Sequence, residues 1–223
     1  MYGFLIGIST IISLLFIENL IKKHKLKISI NDFWNIILMV ILAAIIGARL
    51  YHVLDQWDHY ALNPYQILNL KAGGFGIFGA IIFSIGAIYL YSKAKKISFL
   101  LITDLLLFYT PLVQIAGRLG NLFNNELYSK NGFPTSLLEA ILNILVFSVF
   151  SRLYQINKLD LGKGKITALF LIFYGIIRIF IEPFRNPQFS FILNGLNITY
   201  LMSSGFIIIG LVLLLKLKFI NIK

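Results

Sequence analysis

Seven long apolar runs follow one another along this chain, separated by short polar connections. Crossing about 30 Å of hydrocarbon takes ~20 helical residues, and the runs near residues 2–21, 33–54, 73–92, 97–116, 134–154, 166–182 and 198–215 are of that order. The pattern predicts an all-α, polytopic membrane protein with about seven transmembrane helices, forming a single integral membrane domain over residues 1–223. Gly73, Gly74, Pro111 and Pro134 fall near run ends or inside a run, where a helix is expected to break or kink. The chain enters its first run without a basic leader or a small-residue cleavage site, so that run is expected to stay. There is no internal repeat or low-complexity tract.

Composition agrees with this class. Hydrophobic residues make up 58% of the 223 and charged residues 13%, with a mean hydropathy of +0.84; a soluble domain of this length has no interior large enough for that much apolar side chain. Charge adds orientation. Of the 20 Lys and Arg, fourteen fall in the first, third and fifth connections and the C-terminal tail: Lys22, Lys23, Lys25, Lys27, Lys93, Lys95, Lys96, Arg152, Lys158, Lys163, Lys165, Lys216, Lys218 and Lys223. Only Lys71, Arg118, Lys130 and Arg185 lie in the second, fourth and sixth connections, and Arg49 and Arg178 lie inside runs. The positive-inside rule then predicts an outward N-terminus and a cytoplasmic C-terminus. The net charge of +11 is read as cytoplasmic loop lysine near anionic lipid, with no nucleic-acid partner.

Polar residues gather toward the outward ends. Asp55, Trp57, Asp58, His59, Tyr60 and Tyr65 follow the second run, where an interfacial aromatic belt or a binding role would suit them. Arg118, Asn121, Asn124, Asn125 and Glu126 close the fourth run, and Tyr174, Arg178, Glu182 and Arg185 recur in and after the sixth. Tyr174, Arg178 and Glu182 are four residues apart, so a helix carries them as one stripe. Arg178 and Glu182 could simply pair with each other, but ionised groups inside a bilayer cost roughly 2.5–3.5 kcal/mol each at the helix centre and usually have a function. Arg118 and Asn121 share a face if the fourth helix continues through Gly117 and Gly120, whose missing side chains allow close approach of a neighbour or ligand.

Arginine suits phosphate because its planar fork donates paired hydrogen bonds and stays charged. Two arginines with asparagine donors could hold a phosphodiester or stabilise charge developing on a departing phosphate. His24, His52 and His59 are scattered and no metal-ligand spacing occurs, so no metal or cofactor is expected. The chain has no cysteine, and no serine–histidine–acid set stands at one depth. Arg49 is expected to snorkel, to pair with Asp104 or to touch substrate; Asp104 and Glu139 are either interhelical partners or catalytic groups.

These residues carry a family resemblance. ITDLLLFYTPLVQIAGRLGNLFNNE, residues 102–126, resembles the signature of the prolipoprotein diacylglyceryl transferases, bacterial membrane enzymes that begin lipoprotein maturation; Arg118, Gly120, Asn121, Asn124 and Glu126 match its core position by position. YGIIRIFIEPFR, residues 174–185, is similar to a second family motif and aligns Tyr174, Gly175, Arg178, Glu182 and Arg185. GARLYHVL (47–54), GGFGIFGA (73–80) and FPTSLLE (133–139) resemble further segments in family order, and Tyr2-Gly3 resembles the family's Tyr-Gly in helix one.

The resemblance implies a bacterial cell-membrane enzyme, multi-pass, that moves the diacylglyceryl group of phosphatidylglycerol, a membrane lipid, to the cysteine thiol of a prolipoprotein lipobox peptide and releases glycerol phosphate. It implies catalytic roles for Arg118 and Arg178 as a phosphate clamp and for Glu126 and Glu182, which would hold the arginines or take part in proton transfer. Tyr2, Asn121, Asn124, Tyr174 and Arg185 would bind the substrate. Three departures stand out: Phe78 and Phe133 replace family histidines, and the segment between Glu126 and Pro134 is short. His52 could stand in for the first histidine. The departures motivate an alternative, an inactive relative that binds lipid or a partner. A transporter is a third reading, opposed by the lack of inner charges to match the outer set.

Overall fold

The computed structural model describes residues 2–124, 126–129, 131–156, 160–186, 192–193 and 196–220; Asn125, Lys130, Lys158 and Lys223 lie outside the described residues. The helices are α1 (Tyr2–His24), α2 (Ile30–Asp55), α3 (Trp57–Leu62), α4 (Ile77–Lys95), α5 (Phe99–Phe123), α6 (Thr135–Gln155), α7 (Lys165–Ile181) and α8 (Ile198–Ile220), with a two-stranded antiparallel pair, β1 (Ile192–Leu193) and β2 (Leu196–Asn197), before α8. Seven of the helices are long and apolar enough to cross a membrane. The short α3 is the exception, and it lies in the second connection. Gly73 and Gly74 fall outside α4, both at positive φ. Pro111, in contrast, is buried inside α5 without ending it, so the expected break occurs at the glycines and not at the proline.

The chain forms two compact units, Leu20–Phe99 and Met1–Asn19 with Leu100–Lys223. In the first, α2 and α4 touch backbone to backbone. A Cβ added at Gly79 would fall onto the Gly47 carbonyl, and one at Gly47 onto the Gly79 carbonyl, the close approach that small residues permit between membrane helices. Gly79→Ala is expected to force the helices apart at a cost of about 1–3 kcal/mol; a melting temperature unchanged in detergent would contradict that packing.

Arg49 organises the other side of the same unit. It is buried, and its guanidinium donates to the carbonyls of Gln66, Ile67, Asn69, Gly73 and Gly74 while lying over the Tyr60 ring. Arg49 therefore ties the polar connection after α2 to the α2 helix through backbone acceptors, in place of the snorkel read from the sequence. Tyr60 is buried beneath it, whereas Trp57 and Tyr65 are exposed as an aromatic belt requires. His52 packs edge-on to Tyr60, and the Phe78 ring packs on Tyr51.

In the second unit Phe108, Val146, Phe150, Ile166, Phe170, Ile177 and Ile181 make a continuous core between α5, α6 and α7. Gly175 and Gly210 let α7 and α8 approach as α2 and α4 do: a Cβ at Gly175 would meet the Ser203 carbonyl, and one at Gly210 the Ala168 carbonyl. The start of α1 lies on Gly117 and Gly120 of α5 through Tyr2 and Ile6. Asp104, wholly buried in α5, accepts from Gly162 N, Gly164 N, Thr167 N and Thr167 Oγ1 at 2.7–2.9 Å. Of the two groups left open in the sequence, Asp104 is thus an interhelical partner, supplying the cap that α7 lacks at its own Gly164.

Candidate functional site

Alternating helix direction brings the C-terminal ends of α5 and α7 and the N-terminal end of α6 together within the second unit. A charged network spans them. Because α5 runs unbroken to Phe123, Gly117 and Gly120 share the face that receives α1, while Arg118 and Asn121, three apart, share the adjacent face. The sequence made that pairing conditional on helix continuity, and the helix is continuous.

The centre of the network is Glu139, one turn into α6 and only 2% exposed. Its Oε2 lies 2.6 Å from Arg118 Nε and its Oε1 lies 3.6 Å from Arg178 Nη1. Two guanidinium groups from helices far apart in sequence therefore converge on one carboxylate. On one side, Arg118 Nη1 donates to the Asn121 amide oxygen at 3.2 Å, and the Asn121 amide nitrogen donates to Glu126 Oε2 at 3.1 Å, in the amide orientation that satisfies both neighbours. Asn124 Nδ2 then donates to Glu126 Oε1 at 3.3 Å. On the other side, Glu182 Oε2 lies 3.9 Å from Arg178 Nη2 and 3.6 Å from Arg185 Nη1. Glu182 Oε1 accepts from Asn197 Nδ2 at 2.8 Å, and Asn197 Oδ1 in turn accepts from Thr199 N at 2.9 Å.

Positive and negative groups thus alternate from Glu126 to Arg185. Burial is unequal along the chain of contacts. Glu182 is 4% exposed, whereas Glu126 is open. The guanidinium side chains of Arg118 and Arg178 are 24% and 13% exposed, leaving each partly reachable by a ligand. Arg185 follows the last membrane-spanning residue of its helix; burial, then the neighbouring Arg178, pushes its guanidinium below the usual range, although arginine keeps its proton throughout ordinary pH.

Seven of the nine predicted site residues join this network: Arg118, Asn121, Asn124, Glu126, Arg178, Glu182 and Arg185. Tyr174 and Tyr2 do not. Among the described residues Tyr174 makes ring contacts, stacked on Phe170 at 5.9 Å and tilted against Phe206 at 5.8 Å. Tyr2 is 40% exposed and lies on Gly120, beside the network in sequence but on the neighbouring face of α5. Two participants were not on the predicted site set. Glu139 sits in the FPTSLLE segment and was divided between structure and chemistry; a carboxylate inside an apolar run was its signal. Asn197 carried no signal, since only the return of the chain before α8 brings it to Glu182. Among the described residues no three His, Asp or Glu side chains gather as a metal site would need.

Such an arrangement can hold an anion of phosphate chemistry: several guanidinium N–H donors and asparagine amides, fixed by carboxylates, in a low-dielectric setting. Comparison with known proteins bears on which chemistry it serves. The family described as prolipoprotein diacylglyceryl transferase matches residues 1–216. A phosphatidylglycerol–prolipoprotein diacylglyceryl transferase of Finegoldia magna is 31% identical, the alignment covering 97% of this chain and 90% of that protein. The Clostridium novyi protein of that name is 33% identical over 87% and 83% of the two chains, and that of Bacillus cereus strain B4264 is 28% identical over 96% and 86%. With the helices, the ordered motifs and the charged network all in agreement, the chain belongs to the prolipoprotein diacylglyceryl transferase family.

Proposed function

We propose that this protein transfers the diacylglyceryl group of phosphatidylglycerol to the lipobox cysteine of a prolipoprotein, releasing glycerol phosphate. The observation that carries the reading is the convergence of Arg118 and Arg178 on the two oxygens of one buried carboxylate. A lipid phosphate entering beside that carboxylate meets N–H donors from both arginines, with Asn121 and Asn124 continuing the polar surface. The names of the relatives supply the substrates.

The reaction asks for two things. The thiol must lose its proton, from a free pKa of about 8.5, and its sulfur must form a bond to the glycerol carbon while the bond from that carbon to the phosphate oxygen breaks. The phosphate leaves as a monoester, carrying more negative charge than the diester had. Arg118 and Arg178 meet that added charge with donors already in place, which is where electrostatic catalysis has most effect. Glu126 and Glu182 divide the carboxylate work. Glu182, buried between Arg178, Arg185 and Asn197, holds the arginines. Glu126, open and bonded among the described residues to the Asn121 and Asn124 amides, is the carboxylate an incoming thiol can reach. Tyr2, exposed at the start of α1, offers a ring surface that orients the lipid, the Tyr174 ring packed on Phe170 and Phe206 supports the helix that carries Arg178, and Arg185 adds positive charge behind Arg178.

With the N-terminus outward, the network lies at the outer boundary of a bacterial cell membrane, where secreted prolipoproteins arrive; the lysine distribution supports that orientation. The alternative of an inactive binding relative drew on Phe78 and Phe133. The ion network that joins the charged residues of both motifs favours chemistry over binding alone.

The test is a transfer assay. Membranes carrying the protein, mixed with labelled phosphatidylglycerol and a lipobox peptide, are expected to release glycerol phosphate and lipidate the peptide. If neither product forms under conditions in which the Clostridium novyi relative works, the binding-relative reading replaces this one.

A further inference from the structure

Glu139 has no assigned part in the reaction, yet it occupies the position between the two arginines that a phosphate would share. Its two oxygens are held unequally. Oε2 makes a short contact to Arg118 Nε, while Oε1 is buried, accepts no hydrogen bond among the described residues and lies 3.6 Å from Arg178 Nη1. That distance, like the 3.9 Å from Arg178 to Glu182, exceeds hydrogen-bond length. Arg118 is thus fixed by Glu139 through Nε and by Asn121 through Nη1, while Arg178 is attracted from two sides and bonded tightly on neither. Ser136, one turn before Glu139 on α6, also buries a hydroxyl without a partner among the described residues. The α6 backbone itself is firm here, for Asn143 Nδ2 donates to the Glu139 carbonyl at 2.8 Å.

Two like charges brought side by side repel, and a carboxylate between them offsets that repulsion. The same carboxylate competes with any other anion for the same donors. A phosphodiester carries one negative charge, as Glu139 does; the departing monoester carries more. Competition therefore weakens binding of the starting lipid and, because repulsion grows with charge, weakens binding of the departing monoester more. We propose that Glu139 is a positioning residue: it sets Arg118, holds Arg178 by charge alone, and weakens the grip of the clamp on the released monoester more than on the lipid, so that the product leaves. This rests on the transferase reading given above.

The experiment uses the full chain in proteoliposomes of defined phosphatidylglycerol content with saturating lipobox peptide, comparing wild type, Glu139→Gln and Glu139→Asp. Glu139→Gln keeps the shape and removes the competing charge. Its apparent KM for phosphatidylglycerol is expected to fall by about threefold or more while kcat falls by about tenfold or more. Glycerol phosphate, the product, is expected to bind it about tenfold more tightly than it binds wild type, a larger change than in KM because the product carries the greater charge. Glu139→Asp keeps the charge, so its KM and product affinity stay within about twofold of wild type. A Glu139→Gln variant whose KM and product affinity are unchanged, or whose KM rises, overturns the proposal, because a structural prop alone would lower the amount of active enzyme without tightening the anion site. If Glu139→Gln does not fold, a shift beyond twofold in Glu139→Asp overturns it and its absence supports it. A wild type that transfers nothing removes the transferase reading alone; the relative affinity for glycerol phosphate still decides the role of Glu139.

Discussion

Arg178→Ala is expected to lower kcat for diacylglyceryl transfer by about 100- to 1,000-fold, the range seen when one preorganised donor to a developing oxyanion is removed. The structure indicates why a lysine would not restore it. Arg178 uses Nη1 toward Glu139 and Nη2 toward Glu182, and a single ammonium cannot face both carboxylates and a phosphate at once. Arg118→Ala should be as damaging, since it also frees Asn121 and leaves Glu139 with Arg178 alone. Release of labelled glycerol phosphate, normalised to folded protein by melting in detergent, reads both. Either variant keeping more than a tenth of wild-type kcat would remove that arginine from the clamp.

Asp104→Ala is expected to be the most damaging substitution for stability, at about 3–4 kcal/mol. Helix α7 starts at Gly164 with no side-chain cap of its own. Asp104 supplies one from α5, accepting three backbone amides and the Thr167 hydroxyl. Two of those amides belong to Gly162 and Gly164 at φ +88° and +84°, a conformation that glycine adopts without strain and that places both N–H groups on one carboxylate. Removing the acceptor takes the partner from three backbone N–H groups at a largely buried helix start, while the Thr167 hydroxyl keeps Thr103 at 2.9 Å. Since α7 carries Arg178 and Glu182 at its other end, activity should fall along with stability. A melting temperature within a degree or two of wild type would show that the cap is dispensable.

The membrane helices were legible because their signal is local. An apolar run of sufficient length must satisfy its backbone polar groups internally, and a helix is the solution a single segment can adopt. For that reason the seven spans fell close to where hydropathy put them, while ends set by local chemistry were less certain. Gly73 and Gly74 lie outside a helix; Pro111, itself buried, sits inside α5 without breaking it. The candidate site was partly legible. Arg118 with Asn121, just past the fourth apolar run, and Arg178 with Glu182, in the sixth, were visible as polar and charged residues at helical spacing. Tyr174 shares the Arg178 stripe by spacing, yet its ring is taken up by Phe170 and Phe206, since periodicity gives a face but not the neighbour on it.

What the amino-acid order determined by itself was the number and length of the helices, the asymmetry of charge between connections, and which residues were too costly to stand in apolar runs without a purpose. Each follows from the free energy of moving one segment or one ion out of water. Which ion meets which was decided only by the tertiary structure. Arg49 turned to five carbonyls, Asp104 to the start of α7, and Glu139 to a place between Arg118 and Arg178. Those choices depend on how α5, α6 and α7 are brought side by side, and electrostatic attraction acts over a few ångströms that sequence separation does not measure.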